Sequence, residues 1–268
     1  MINEIDIDKI VRERAGKKAK FIPKWLTSLL ARIIHQDFMN VYLRRGNVGV
    51  EFCKEGVAYY GNTITVEGRE NLPDDGRLCT FVSNHPLGGI DGVALGWIIG
   101  EHYDGKIKFL VNDLLMNLKG LAPLCVPINK MGKQARSFPA LVEGTFASDC
   151  HVIMFPAGMC SRRQDDGTIR DEPWNKAFIT KSVQHQRDIV PIHFGGHNSN
   201  RFYNVARWCK RLHLPNFAMM LLPDEMYRNQ GNHYTVRIGK PIPWQTFDKT
   251  KKPAEWGRWV QDRVYELK

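Results

Sequence analysis

Residues 78–92 read LCTFVSNHPLGGIDG, and this stretch decides the fold. Its first part, up to Asn84, is apolar and rich in β-forming residues, as expected of a buried strand. His85 and Pro86 follow that strand, two glycines permit a tight loop, and Asp91 stands where a helix would begin. In open α/β sheets, ligands bind beyond the carboxyl ends of the strands, so we expect the site at this loop.

The rest of the chain repeats this alternation of strand and helix. Short apolar runs rich in β-forming residues are separated by segments with helical spacing. We therefore predict an α/β fold, an αβα sandwich around a mostly parallel sheet, with an N-terminal amphipathic helical segment. The predicted strands are TITVEG, LCTFVSN, KIKFLVN, LCVPI, HVIMFP, DIVPIHF, FAMMLLP and YTVRIG, and the predicted helices span about residues 91–102, 134–148, 175–186, 200–213 and 254–266.

The N-terminal part, residues 1–50, differs in character from the α/β domain predicted for residues 51–268. Residues 9–24 are strongly basic, and apolar residues from Trp25 to Ile34 recur at helical spacing. One interpretation is an interfacial helix whose basic residues face anionic headgroups. The other is an amphipathic helix packed on the core behind a solvated basic leader, and the sequence leaves both open.

His85 and Asp91 are the candidate chemical pair. A regular helix would not place residues six apart on one face, but Gly88 and Gly89 permit a loop that folds Asp91 back onto the imidazole. An aspartate that holds one ring nitrogen leaves the other free to take a proton from an attacking hydroxyl. The alternative is that Asp91 caps a helix and His85 is structural.

Charge and composition restrict the partners. The chain has 268 residues, of which 43% are hydrophobic, so it can bury a core, and its net charge of +10 favours an acidic partner. An anionic membrane and an acidic carrier protein both qualify. Nucleic acid is not expected, because no nucleic-acid-binding motif is present.

Cysteine usage and hydropathy indicate the compartment. No two of the six cysteines form a C-x-x-C pair, which argues against a metal site and favours reduced thiols in the cytosol. The first residues, MINEIDIDKI, are polar and acidic, unlike a signal sequence, and no window reaches the roughly 18 to 20 apolar residues of a spanning helix. We expect a peripheral protein on the cytoplasmic face of the inner membrane, with no transmembrane segment.

Three further blocks accompany the first. They are VPINK at residues 126–130, FPAGMCSR at 155–162 and VPIHF at 190–194. With NHPLGGIDG at 84–92, these blocks resemble the glycerolipid acyltransferase family of the lysophosphatidic acid acyltransferase type, over about residues 60–240. The first and third blocks are most similar to a hemolysin-like branch that includes O-acyltransferases of lyso-amino-acid lipids.

The resemblance implies an acyltransferase of lipid biosynthesis with an αβα fold. It implies a thioester donor (acyl carrier protein or coenzyme A), a lyso-lipid acceptor, an anionic membrane surface, direct attack without an acyl-enzyme, and neither metal nor cofactor. His85 and Asp91 would be catalytic. Substrate-binding residues would be Asn84, Gly88, Gly89, Asn129, Lys130, Phe155, Pro156, Ala157, Gly158, Ser161 and Arg162.

Departures from the family pattern bear on the acceptor. Five residues separate the histidine and the aspartate where four are usual, Ala157 replaces a glutamate, and Asn129 stands at an expected arginine. Bidentate arginine suits phosphate, and asparagine is no substitute. We therefore expect an acceptor other than lysophosphatidic acid. The resemblance to the hemolysin-like branch implies a lyso-amino-acid lipid of the N-acyl glycine or ornithine type, with 1-acylglycerol-3-phosphate as the alternative.

Two rival classes stay open. A serine hydrolase would need a nucleophile elbow, and no G-x-S-x-G occurs, although Cys160 is a candidate cysteine nucleophile. A non-catalytic basic module that binds membrane or nucleic acid would explain the charge but not the FPAG block.

Overall fold

The computed structural model describes residues 4–128 and 138–268. Asn129 and Lys130 of the second block lie outside the described residues. The strands are β1 Thr63–Glu67, β2 Cys79–Ser83, β3 Ile107–Asn112, β4 Cys125–Ile128, β5 His151–Met154, β6 Arg162–Arg163, β7 Ile169–Arg170, β8 Asp188–Phe194 and β9 His233–Ile238. The α-helices are α1 Ile7–Ala15, α2 Lys24–Ile33, α3 Gln36–Leu43, α4 Val50–Tyr59, α5 Ile90–His102, α6 Phe138–Ala147, α7 Ala177–Gln184, α8 Asn200–Arg211, α9 Leu222–Arg228 and α10 Pro253–Glu266.

Seven strands form one mostly parallel sheet in the order β1-β9-β8-β2-β5-β3-β4. Strands β8, β2, β5, β3 and β4 are parallel to one another. Strand β9 pairs antiparallel with β8, and β1 pairs parallel with β9. Strand β2 occupies the middle of the sheet with all five residues buried, as its continuous apolar pattern predicts.

Helices cover both faces of the sheet, which confirms the predicted αβα sandwich. On one face, α4 and α5 contribute to a cluster that includes Phe81 and Ile153. On the other face, α7 and α10 pack with Val82 and Val152. A Cβ at Gly96 of α5 would lie 2.7 Å from the sulfur of a cysteine in α4, so glycine allows these two helices to approach closely.

Most predicted elements are present, and one is wrong. Residues 217–223, predicted as a strand, form a 3-10 helix followed by the first turn of α9. This run buries Ala218 but exposes Phe217 and Met219, and Pro223 suits a first helical turn. The five predicted helices are all present, with α6 described from Phe138 onward. The sequence pattern missed α4, α9 and the short hairpin of β6 and β7.

The N-terminal segment is helical and partly packed on the domain. Tyr42 and Leu43 of α3 are buried in the core, whereas Phe21 and Trp25 are 75% and 67% exposed. Both interpretations of this segment therefore have support, and a boundary between residues 50 and 51 stays a prediction. Among the described residues, no helix has the length and apolar character needed to cross a bilayer.

Candidate active site

The parallel arrangement of the strands places several candidate residues at one edge of the sheet. Strand β2 lies between β5 and β8, so their carboxyl ends adjoin. His85 follows β2 and Phe155 follows β5. The Asn84 side chain joins the ends of β2 and β8: its Oδ1 accepts from the Phe194 N–H at 2.7 Å and its Nδ2 donates to the Phe194 carbonyl at 2.9 Å. These contacts brace the loop that carries His85, and substrate binding by Asn84 stays a prediction.

The loop after β2 wraps around the Asp91 carboxylate. Asp91 Oδ2 lies 3.0 Å from His85 Nδ1. Oδ2 also accepts from the N–H groups of Leu87 at 2.9 Å and Gly88 at 3.2 Å. Oδ1 accepts from two more glycine amides of the loop and of the first turn of α5, each at 2.9 Å. Gly88 has φ +77°, the left-handed conformation that favours glycine, and this turn brings Asp91 back to the imidazole.

This environment sets opposite pKa shifts in the pair. Burial by itself lowers the pKa of His85, but the negative charge of Asp91, its hydrogen bond and the charge of Asp171 outweigh burial, so the pKa lies above its usual 6.5. Burial raises the pKa of Asp91, but His85 and the loop amides prevail and keep it below its usual 3.8. Asp91 is therefore a carboxylate, and Nδ1 of His85 donates to it.

The His85 ring is oriented by stacking as well as by Asp91. The Phe155 ring lies 4.0 Å from the His85 ring between centroids, with 24° between the planes. The His85 side chain is 18% exposed, and none of the described residues forms a hydrogen bond with Nε2. The free nitrogen of a neutral imidazole is thus available to a hydroxyl group.

Ser161 of the third block is a structural partner of His85. The Ser161 N–H donates to the His85 carbonyl at 2.8 Å, and Ser161 Oγ donates to Asp171 Oδ1 at 2.5 Å. Asp171 Oδ1 also accepts from the His85 N–H at 3.3 Å, and its Oδ2 accepts from Trp174 Nε1 at 3.0 Å. Ser161 is 1% exposed, and its hydrogen bonds join the third block to the first. The sequence did not indicate Asp171, because its position after the β6–β7 hairpin carries no motif.

The turn between β5 and Ser161 uses one of its own N–H groups internally. An oxyanion would need N–H donors, but the Gly158 N–H donates to the Phe155 carbonyl at 2.9 Å. The Pro156 carbonyl accepts from the Asn175 N–H at 3.1 Å, and Ala157 packs against the α7–α10 side of the core. Binding of substrate by these residues stays a prediction.

Arg162 lies beside the pair and has a vacant hydrogen-bonding group. Its Nη1 donates to the Cys160 carbonyl at 2.7 Å and the Ser161 carbonyl at 3.2 Å, and lies 3.1 Å from Cys160 Sγ. The guanidinium lies over the Phe202 ring at 5.3 Å. Nη2 is buried and has no hydrogen-bond partner among residues 4–128 and 138–268. A buried, positively charged donor without a partner suits an anionic group of a ligand.

Cys160 is poorly suited to be a nucleophile. The side chain is 3% exposed, and burial raises the pKa of its thiol despite the nearby Arg162 charge. A nucleophilic cysteine needs the thiolate form, which a raised pKa disfavours. In the described part of the chain, no group of three or more His, Cys, Asp or Glu side chains is arranged to hold a metal.

Helix α9 and the segment after β8 form a wall behind the glycine loop. A Cβ at Gly88 would lie 2.9 Å from both Leu222 methyl groups, and one at Gly89 would lie 2.3 Å from the sulfur of Met226. Asn198 Nδ2 donates to the carbonyls of two loop residues, Pro86 at 3.3 Å and Leu87 at 3.2 Å. These wall residues are distant in sequence from His85, and nothing in the sequence pattern pointed to them.

Several known proteins are similar to this chain. Residues 9–268 match the model of a family described as acyltransferase. A lyso-glycine lipid O-acyltransferase of Phocaeicola vulgatus is 57% identical over 266 residues, covering 98% of this chain and 95% of that protein. The lyso-glycine lipid O-acyltransferase of Bacteroides thetaiotaomicron is 58% identical over 266 residues, covering 98% and 97%. The crystal structure of the 1-acyl-sn-glycerophosphate acyltransferase PlsC from Thermotoga maritima aligns with 16% identity and a TM-score of 0.49, over 81% of this chain and 77% of that chain.

Proposed function

This chain belongs to the acyltransferase family, and from that premise we propose that it transfers a fatty acyl group from an acyl thioester to the hydroxyl of a lyso-glycine lipid. The substrate class is supported by two relatives of that name at 57% and 58% identity over nearly the whole chain. The chemistry is supported above all by one observation: Asp91 holds Nδ1 of His85 and leaves Nε2 open.

The proposed reaction uses His85 as general base. The acceptor hydroxyl lies against Nε2, and its oxygen attacks the thioester carbonyl carbon while its proton passes to Nε2. Asp91, held ionised by its backbone donors, stabilises the imidazolium that forms. The tetrahedral intermediate then collapses, the carbon–sulfur bond breaks, and the departing thiolate takes the proton from Nε2. The products are the ester and the free thiol, and no acyl-enzyme is formed.

We assign the acceptor's carboxylate to Arg162. A lyso-glycine lipid carries a carboxylate a few bonds from its hydroxyl, and the unpaired Nη2 of Arg162 would gain a charged acceptor from it. Arg162 lies near the loop that carries His85, because its Nη1 donates to the Ser161 carbonyl at 3.2 Å and the Ser161 N–H donates to the His85 carbonyl at 2.8 Å. The carboxylate and the hydroxyl of one acceptor would therefore be bound together. The other candidate binding residues, at Gly88, Gly89 and the 155–161 turn, would line the same loop.

The donor and the location follow from charge. An acyl carrier protein is acidic, and a chain with a net charge of +10 suits it better than a neutral partner; acyl-coenzyme A is the alternative donor. The acceptor is a membrane lipid, so we place the protein peripherally on the cytoplasmic face of the inner membrane. The exposed Phe21 and Trp25 beside the basic residues 9–24 support contact with anionic lipid.

The test offers donors and acceptors to three purified proteins: the wild type, His85→Ala, and His233→Ala, which changes an exposed histidine of β9. Palmitoyl-acyl carrier protein or palmitoyl-coenzyme A is mixed with N-(3-hydroxyacyl)-glycine, its ornithine counterpart or lysophosphatidic acid, and products are identified by mass spectrometry. We expect a diacylated glycine lipid from the wild type and His233→Ala alone. Preference for lysophosphatidic acid would overturn the acceptor, and undiminished product from His85→Ala would overturn the general base.

A further inference from the structure

Six large apolar side chains are exposed between the end of α8 and the start of α9. Their exposed fractions run from 39% to 66%, and every residue from Lys210 to Phe217 is exposed. Isolated exposed apolar residues are normal on a protein surface, whereas a contiguous run of them marks an interaction surface. We call these six residues the apolar rim: Trp208, Leu212, Leu214, Phe217, Met219 and Met220.

The apolar rim is mounted on buried anchors. Phe202 and Ala206 on the inner side of α8 pack with Cys160 and with Ala218 in a separate buried cluster. The Leu214 N–H donates to the Cys209 carbonyl at 2.9 Å, which closes the turn at the end of the helix. The exposed side chains thus project from a defined backbone, and a partner that covers them meets a preformed surface.

The sequence around the apolar rim is positively charged, although Lys210 forms an ion pair with Glu172 at 3.1 Å. The sequence has no aspartate or glutamate between Asp188 and Asp224. Arg207 and Arg211 are exposed, and neither forms an ion pair with the described residues. A tryptophan, leucines and a phenylalanine flanked by unpaired arginines match the interface of an anionic bilayer, where aromatic and aliphatic groups enter the acyl boundary and arginine meets headgroups.

The inner end of the apolar rim adjoins the site. The chain continues from Met220 into Leu222, whose methyl groups pack against Gly88 in the loop around Asp91. Cys160, in the anchor cluster, also approaches Gly88, since a Cβ there would lie 3.1 Å from it. A bilayer that receives the apolar rim would therefore lie beside the loop that carries His85.

We propose that the apolar rim is a bilayer-insertion surface, with Trp208, Leu212 and Phe217 entering an anionic membrane next to the catalytic loop. The residues of this surface belong to other elements than the N-terminal segment that the sequence itself suggested. Its role in reaching a membrane-embedded acceptor rests on the proposed function, whereas its binding to lipid does not.

The test measures binding of the full-length protein to vesicles of phosphatidylglycerol and phosphatidylethanolamine by co-sedimentation. The rim variant is Trp208→Ser/Leu212→Ser/Phe217→Ser. The matched control is Val48→Ser/Leu141→Ser, which changes apolar residues that are 55% and 42% exposed elsewhere. We expect the rim variant to bind at least about tenfold more weakly and the control to bind as the wild type does. Wild-type binding by the rim variant, or an equal loss in the control, would overturn the proposal.

Two further measurements separate the possible outcomes. Acyl transfer to an acceptor dispersed in detergent should be the same in the rim variant and the wild type, while transfer to an acceptor in vesicles should fall. Suppose that neither the wild type nor any variant transfers acyl groups, but vesicle binding still depends on the rim. The proposed function is then wrong, and the insertion surface stands. If the wild type sediments as a dimer that the rim variant dissociates, the surface is a protein interface and the proposal is wrong.

Discussion

The Asp91 carboxylate lies 3.0 Å from Nδ1 of His85, although five residues stand between them in the chain. Regular helical geometry would turn such residues to different faces. The loop instead folds around the carboxylate, and backbone N–H groups hold Asp91 in addition to its contact with the imidazole. The geometry of the pair therefore depends on the glycine loop, and the extra residue relative to the usual family spacing is accommodated there.

The first prediction concerns the pH dependence of acyl transfer. The proposed base must be neutral, and Asp91 raises the pKa of His85 above 6.5 against the opposing effect of burial. We expect kcat/KM to fall with decreasing pH, with an apparent pKa above 6.5, because protonation of His85 removes the base. The measurement is kcat/KM from pH 5 to 9 for the wild type. If the residual activity of His85→Gln still falls at low pH with the same apparent pKa, that pKa belongs to a group other than His85.

The second prediction concerns Asp91→Asn. This change removes the charge that raises the pKa of His85, so the acid limb should move to lower pH. It also replaces an acceptor of several N–H groups with an amide that has only one acceptor oxygen. We expect kcat to fall by about 10² to 10⁴-fold, as for loss of a positioned base. If kcat falls but the apparent pKa of the acid side of the pH profile does not move, Asp91 supports the loop and does not act on the charge of His85. Thermal unfolding checks that the variant is folded.

The sequence predicted this pair because both residues lie in one short loop whose glycines are visible in the chain. It could not predict Asp171 or Asn198, which brace the same loop from positions far along the chain. Their contacts arise only when β8 and the β6–β7 hairpin are placed beside β2. A carboxylate or an amide in a loop carries no local pattern that reveals such a role.

The apolar run at residues 217–223 shows a second limit. A short apolar segment is equally consistent with a strand or with a helix start, and periodicity does not separate them. Here Phe217 and Met219 point outward, and Leu222 packs against Gly88. The contact of Leu222 with the loop that carries His85 was therefore invisible in the sequence, although the run itself was read as apolar.

The third prediction compares two glycines with similar backbone angles. Gly88 has φ +77°, and a Cβ there would meet Leu222; Gly167 has φ +85° in the hairpin turn, with nothing within 4 Å. Gly167→Ala should lose only about 1 to 2 kcal/mol of stability, from the left-handed conformation, with unchanged activity. Gly88→Ala should lose roughly 1 to 3 kcal/mol of stability in addition, because its Cβ overpacks against Leu222. We also expect a lower kcat, because the loop around Asp91 shifts. Urea unfolding and kcat distinguish them, and equal behaviour would contradict the role of the loop.

The fourth prediction concerns Cys160. Its thiol is buried with a raised pKa, and the proposed reaction forms no acyl-enzyme, so Cys160→Ser should retain acyl transfer. Cys209→Ser, which changes another buried cysteine, controls for the effect of placing a serine in the protein interior. Initial rates of both variants with the glycine lipid acceptor are the measurement. Abolished activity in Cys160→Ser alone, with trapped acyl-enzyme in the wild type, would revive the cysteine nucleophile.

The fifth prediction assigns the acceptor's carboxylate to Arg162. Arg162→Met keeps the long side chain over Phe202 but removes the charge and the unpaired Nη2. A hydrogen bond to a charged group contributes about 1.5 to 3 kcal/mol, so KM for the glycine lipid acceptor should rise by roughly 10 to 100-fold. The neighbouring Arg163→Met is the matched control, because Arg163 pairs with Asn200 and lies over Tyr203.

A methyl ester of the same acceptor makes this test specific. The ester lacks the negative charge, so we expect the wild type and Arg162→Met to handle it with similar KM, and Arg163→Met to keep the wild-type preference for the acid. A purely structural role for Arg162 would instead weaken both acceptors equally, since its Nη1 also holds the Cys160 and Ser161 carbonyls. The ratio of KM values for acid and ester therefore separates recognition of the carboxylate from support of the turn.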